Sequence, residues 1–302
     1  MLRGKFEKRA SKYALSSFAM GPDTVKVIVG PEEKEFLIPK KALASCRFFH
    51  DEIDAARLEF AKGQAYLVIE LEDQCPDMFE LFSYWLCNER KGFDKVVDTA
   101  EAERTCDELH WDFVNLHLFA AQVELSALQD YAMDAIQDIY LRRNWDVNPR
   151  LIDHVYRSCD PQESCRLRKW IVAMTAWTLG GVVAPDLAKK IQRLFDTCPD
   201  FWTEYNTHTR KMAKSGNEGP FKNPQLRLPS NNLRNGERQF GFRQCSFHTH
   251  RSSVGQGKCP HTKPPQTDVF VESDPELGES RFGSRMVSPS SDTIPESDME
   301  NS

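Results

Sequence analysis

Residues 66–86 read YLVIELEDQCPDMFELFSYWL, and this stretch changes its hydrophobic period at Pro76. Tyr66 to Leu71 is rich in β-branched and apolar side chains, the composition of a strand. After Pro76, Met78, Phe79, Phe82, Trp85 and Leu86 fall at one-, three- and four-residue intervals. Such spacing lines one wide face of a helix with apolar side chains. Asp73 and Asp77 flank Pro76, where a carboxylate suits capping a helix start better than acid–base chemistry. A strand running into a buried aromatic helix points to a mixed α+β core.

Working outward toward the N-terminus, Thr24–Val29 (TVKVIV) alternates Val25, Val27 and Val29 with more polar neighbours, a strand pattern. Gly30-Pro31-Glu32-Glu33 is a turn. Lys34 to Ile38 returns as the second arm of a hairpin, Lys40 to Ser45 starts a short helix, and Phe48-Phe49 are its buried anchors. Toward the C-terminus, residues 88–108 are polar and charged and read as a loop. A helix from about Trp111 to Val123 presents Val114 and Leu118. Ser126 and Gln129 have capping-box spacing, and Leu128, Tyr131, Ala132, Ala135, Ile136 and Ile139 continue that helix. Asn148-Pro149 and Asp160-Pro161 are two further helix starts. Leu167, Trp170, Ile171, Met174 and Trp177 form an aromatic stripe that ends at Gly180-Gly181. It reads as the internal core of a helical layer rather than as a partner groove. Pro185 opens a last helix, and Trp202 and Tyr205 close the folded part.

In this order the segments TVKVIVG, EFLIPKKALASCRFF, IELEDQCPDMFELFSYWL and VNLHLFAAQVELSALQDYAMDAIQDIY resemble a BTB/POZ domain. The most specific matches are Phe36, Lys40, Leu43, Ser45, Phe48 and Phe49, and Ile69, Leu71, Asp73, Pro76 and Phe79. The helix around Leu116-His117-Leu118-Phe119-Ala120 also matches. The resemblance covers about residues 22–141 and is nearest to divergent BTB proteins abundant in filamentous fungi. It implies a small mixed sheet flanked by helices. Pro39 stands where the family has His before a Lys; lacking an amide donor, it belongs at a strand end or an edge. Thr24 stands directly before the first strand's Val, where tightly dimeric members carry Asp, and Asp23 lies one residue earlier.

The expected organisation is a flexible arm over 1–21, a BTB/POZ domain over 22–142, a helical extension over 147–205 and a largely disordered tail over 206–302. All six Trp and all seven Tyr lie at or before Tyr205. Without them the last 97 residues bury too little apolar surface to offset their ordering entropy. The net charge of −6 is uneven. Residues 1–205 carry −8, residues 206–263 carry +9 and residues 264–302 carry −7. A basic block followed by an acidic one is the pattern of a solvated polyampholyte. The nine Cys, in a chain read as intracellular, are expected to be reduced.

No Gly-x-Ser-x-Gly, phosphate-binding Gly-rich loop or His-Glu-x-x-His occurs, so no catalytic residue and no small-molecule substrate are expected. His110 and His117, on an apolar helix, read as core or surface residues. The tail carries one cluster of soft donors. Cys245, His248, His250, Cys259 and His261 fall within 17 residues. Four such donors make a tetrahedral zinc site, so Cys245, His248, Cys259 and His261 are the candidate ligands, with His250 as the alternate; the other reading is a disordered or redox-inert tail, in which no cofactor is expected. The basic stretch from Arg210 to Arg243, with Phe240, Phe242 and Phe247 interleaved, lacks a dense Lys/Arg run and does not favour nucleic acid. Ser288-Pro289 is a candidate phosphorylation site.

The longest uncharged run, Trp170 to Pro185, is too short to span a bilayer, and MLRGKFEKRASKY lacks the apolar core of a secretory signal. A cytoplasmic or nuclear protein is expected. The resemblance implies a non-enzymatic protein–protein interaction module that associates with itself or recruits partners. A substrate adaptor for a cullin-type ubiquitin ligase is the alternative within that class. A zinc-dependent nucleic-acid binder acting through the tail is the alternative outside it.

Overall fold

The structure is a computed structural model that describes residues 23–61, 64–88, 92–214, 222–228, 241–243 and 245–251. It is mixed α+β, mostly helical, with a small mixed sheet. Strand β1 (Thr24–Val29) pairs antiparallel with β2 (Lys34–Pro39) in the register Val25↔Ile38 and Val27↔Phe36. Val25, Val27 and Val29 are fully buried, as their alternation requires. Pro39 ends β2, which lies at an edge of the sheet, so the missing amide donor breaks no central ladder. Two short helices follow, α1 (Lys40–Leu43) and α2 (Phe48–Ala55). Phe49 of α2 stacks on Phe82 at 5.6 Å between ring centroids.

Strand β4 (Gln64–Leu71) runs parallel to β1, and β3 (Arg57–Ala61) pairs antiparallel with β4 at the other edge. The sheet order is therefore β2-β1-β4-β3. The sequence reading missed β3, because its apolar side chains Leu58 and Phe60 are not part of the core. Helix α3 (Pro76–Cys87) buries Met78, Phe79, Leu81, Phe82, Trp85 and Leu86 on the face expected from their spacing. Its N-cap is Cys75, not Asp73, and Asp77 instead faces Lys34 at 3.4 Å. Lys34 also pairs at 2.7 Å with Glu80, a fully buried carboxylate, and so ties β2 to α3.

The turn after β1 needs its glycine. Gly30 has φ +73, and a Cβ there would lie 2.8 Å from Pro76 Cγ and 3.0 Å from the Gln74 carbonyl oxygen. Its amide donates to the Leu71 carbonyl at 2.9 Å, closing β1 against the end of β4. Gly30→Ala is expected to cost about 1–3 kcal/mol from backbone strain alone, with the clash placing it at the upper end. Chemical denaturation measures this, and an unchanged midpoint would show that the turn and Pro76 separate freely.

Residues 88–108 are not all loop. Helix α4 (Asp94–Glu103) occupies most of the segment, and α5 (Cys106–Gln122) starts earlier than expected. Phe93, Val96, Val97 and Ala100 form a narrow buried stripe beneath charged residues, too short to stand out from the surrounding polarity. Helix α6 (Ser126–Arg143) packs along α5, with Leu128, Ala132, Ala135, Ile136 and Ile139 buried. Leu125 is its N-cap, and Ser126 is already helical, so no Ser126 capping box forms.

The remaining helices are α7 (Pro149–Arg157), α8 (Cys165–Leu179), α9 (Pro185–Thr197) and α10 (Pro199–Lys214). Asn148 caps α7 by accepting the Arg150 amide at 2.9 Å, as its Asn-Pro signal predicts. Asp160 accepts the amides of Gln162 and Glu163, but the turn it closes precedes α8, which begins at Cys165. Trp170, Ile171 and Met174 are fully buried, so the aromatic stripe is core. Helix α10 passes straight through Tyr205 to Lys214, so the expected boundary at 205 falls inside a helix. Phe195, Phe201, Trp202 and Tyr205 stack together and tie α9 to α10.

Candidate metal centre

The second correction to the expected boundary builds the site. Strand β5 (Asn223–Leu228) pairs parallel with β6 (Gly241–Arg243), and β5 packs against α6 and α8. Residues 245–251 follow, ending in a 3-10 turn at Thr249–Arg251 that lies against α6. These parts of the expected tail are folded onto the helical layer. The arm over 1–21, Cys259, His261 and Ser288 lie outside the described residues.

The surface they cover is a row of carboxylates. Asp130, Asp134 and Asp138 are four residues apart on α6, so they line one face of the helix. Arg227 of β5 pairs with Asp134 and Asp138, at 2.6 Å each. Gln137, on the same helix, donates to the Pro224 carbonyl at 2.7 Å. Gln225 donates to the Trp145 carbonyl at 2.8 Å. Farther along, Asp130 accepts the Thr249 amide at 2.7 Å and its hydroxyl at 3.2 Å. From the other side, Arg166 of α8 donates to the Thr249 carbonyl at 3.1 Å. Basic and amide groups of the returning segment thus answer acids of α6 along the whole row.

Cys245, His248 and His250 meet at the end of this row. Their ligand atoms all lie within 4.8 Å of one another. Cys245 and His248 are buried and His250 is half-buried. The Cys-x-x-His spacing and the following His-x-His bring the three donors round one turn of chain. Phe247 is buried in the core and packs on Phe242 at 5.1 Å between ring centroids. Two aromatics that looked like interleaving in a basic patch are therefore anchors. His248 Nε2 lies 2.8 Å from Asp134 Oδ1. Asp130 Oδ2 lies 3.8 Å from His248 Nδ1 and 3.5 Å from His250 Nδ1. Such a Cys/His/His group can hold a metal ion.

Charge is balanced closely here. Burial alone would lower the His248 pKa, but the hydrogen bond and charge of Asp134, with Asp130 behind it, raise it overall. Burial works against ionising Asp134, yet Arg227 and His248 hold its carboxyl below the usual range. Asp138 goes the other way. Burial and the charge of Asp134 outweigh Arg227, and its carboxyl is pushed up to about 6.

The other flagged histidines are core residues. His117 on α5 is fully buried, neither ring nitrogen has a hydrogen-bond partner, and its pKa falls to about 3. Burial dominates that shift, and the positive charges of Arg166 and His248 add to it. His110 is lowered to about 4 by burial, and its ring packs among Trp111, Tyr140 and Trp145. No disulfide forms among the described residues. No described helix is long and apolar enough to cross a membrane.

Of the predicted ligands, Cys245, His248 and the alternate His250 are brought together. The acidic row that receives them was missed. Its signal was legible: carboxylates at 130, 134 and 138 on one helical face, and a tail block carrying +9. Comparison with protein-family models, with characterised proteins and with solved structures returns no match.

Proposed function

We propose that the chain is a non-enzymatic protein-interaction module built on a BTB/POZ-type fold and that it associates with itself. Support for the fold reading comes from the chain order: a β1–β2 hairpin, two short helices, β4 returning parallel to β1, and aromatic α3 behind it. The observation that carries the interaction reading is the state of β3. Leu58 lies opposite Leu67, Leu67 opposite Val25, and Val25 opposite Ile38, so one row of apolar side chains crosses the sheet on one face. Val25 and Ile38 are buried, Leu67 is half-buried, and Leu58 is 53% exposed. Phe60, two residues on and therefore on the same face, is 75% exposed. The apolar face of the sheet thus continues past its helical cover at an edge strand. Adjacent large apolar side chains on such an edge mark an interaction surface.

Sedimentation of the wild type and of a Leu58→Glu, Phe60→Glu double variant tests the reading. Both positions are exposed, so the variant is expected to fold with stability changed by less than about 1 kcal/mol. Its self-association is expected to weaken tenfold or more. A wild type that stays monomeric at high concentration would overturn the reading.

A further inference from the structure

We propose that Cys245, His248 and His250 form a zinc site that fastens the returning segment to α6. The ligand set suits that ion: one thiolate with two imidazoles is the mixed soft and borderline chemistry that zinc accepts in protein sites, and water completes the tetrahedron where the protein supplies three donors. Geometry agrees with the chemistry. With Zn–N about 2.0–2.1 Å and Zn–S about 2.3 Å, a tetrahedral zinc holds its ligand atoms about 3.3–3.6 Å apart. Donors already within 4.8 Å of one another reach that spacing by small side-chain rotations.

A second, independent feature points to the same ion. A metal-bound histidine characteristically donates its other ring N–H to a carboxylate, which fixes the tautomer and the ring plane. Asp134 takes that position toward His248 Nε2, leaving Nδ1 as the nitrogen with the lone pair. Asp134 is itself held by Arg227 at 2.6 Å. Asp130 grips Thr249, the residue between the two histidines, through both its amide and its hydroxyl. The site is therefore made from the tail segment, while its orientation is made by α6. Zinc binding and docking of the segment favour each other, since the donors converge only when the segment lies on the acidic row. Deprotonation of the Cys245 thiol on binding releases one proton, and the metal takes up the sulfur lone pair.

The test uses the full chain carrying no histidine tag. One equivalent of zinc is expected by elemental analysis. Cobalt(II) in its place is expected to give the visible bands of a tetrahedral ion and the near-ultraviolet charge-transfer band of a cobalt–thiolate bond. Cys245→Ser should abolish the charge-transfer band and weaken zinc binding at least 100-fold. His250→Ala, at a half-buried position, should weaken zinc binding without unfolding the chain. Asp134→Asn should weaken it about 10–100-fold, the range for a carboxylate that orients a ligating histidine. Cys159→Ser, which alters a thiol elsewhere, should change nothing. Chelation of the wild type should raise hydrogen exchange at 245–251 and at β5. Undiminished zinc affinity in Cys245→Ser, or a full chain that binds no zinc, would overturn the site.

Discussion

Replacing Trp85 by alanine is expected to lower the unfolding free energy by about 3–5 kcal/mol, the range for removing a large buried aromatic. Trp85 is 1% exposed and sits on α3 among Met78, Phe79, Leu81, Phe82 and Leu86, all buried. Phe79 and Phe82 continue the same cluster into Phe36, Phe49 and Phe119, so α3 joins the sheet to the helices behind it. A cavity here cannot be closed by moving one loop, because both layers lean on the same helix. Against a domain stability of about 5–15 kcal/mol, such a loss removes a large share. Urea titration is the measurement, with the midpoint falling at unchanged slope. An unchanged midpoint would show that α3 is not core.

Replacing Arg227 by methionine acts on one junction rather than on the whole domain. Arg227 is the common partner of Asp134 and Asp138, and all three side chains are mostly buried. Removing one member of a buried charge network costs about 3 kcal/mol or more, because the remaining charges stay desolvated. The variant chain can avoid that cost by lifting β5 off α6 and returning both carboxylates to water. The expected result is therefore local: about 100-fold faster hydrogen exchange at Leu226 and Leu228, with the α3–α5 core retaining its protection. Equal protection in variant and wild type would mean that Arg227 does not hold the segment down.

The same variant has a pH signature. Asp138 already sits up at about 6 with Arg227 lowering it, so losing Arg227 pushes its carboxyl further up. A docked state that binds its proton more tightly than the undocked state loses stability as pH rises. The docking deficit of the variant is thus expected to be smallest near the ordinary carboxylate pKa and to grow as pH passes through about 6. Exchange rates measured across that interval check the sign.

Much of this molecule was readable from short-range pattern. The alternation of Val25, Val27 and Val29, the aromatic spacing of α3 and the Asn148-Pro149 start all reflect chemistry within one turn or one strand. Each came out in the structure as its period requires. Helix α4 was hidden because its apolar stripe is narrow and its exposed face is densely charged. Strand β3 was hidden because Leu58 and Phe60 alternate without a core to receive them.

The end of the folded part could not be placed from composition. Absence of Trp and Tyr after Tyr205 describes only the composition of that segment. It does not report that a few buried groups, Leu226, Cys245 and Phe247, can be held by a charge row supplied from elsewhere. Arg227 and Asp138 are 89 residues apart, and Thr249 and Asp130 are 119 apart. Pairings at that separation depend on where α6 and α8 leave room, which no local period encodes. The donors of the metal centre were visible in the spacing of Cys245, His248 and His250. Which face of which helix would orient them was settled by packing, because the carboxylates that do so, Asp130 and Asp134, lie 119 and 114 residues from Thr249 and His248 along the chain.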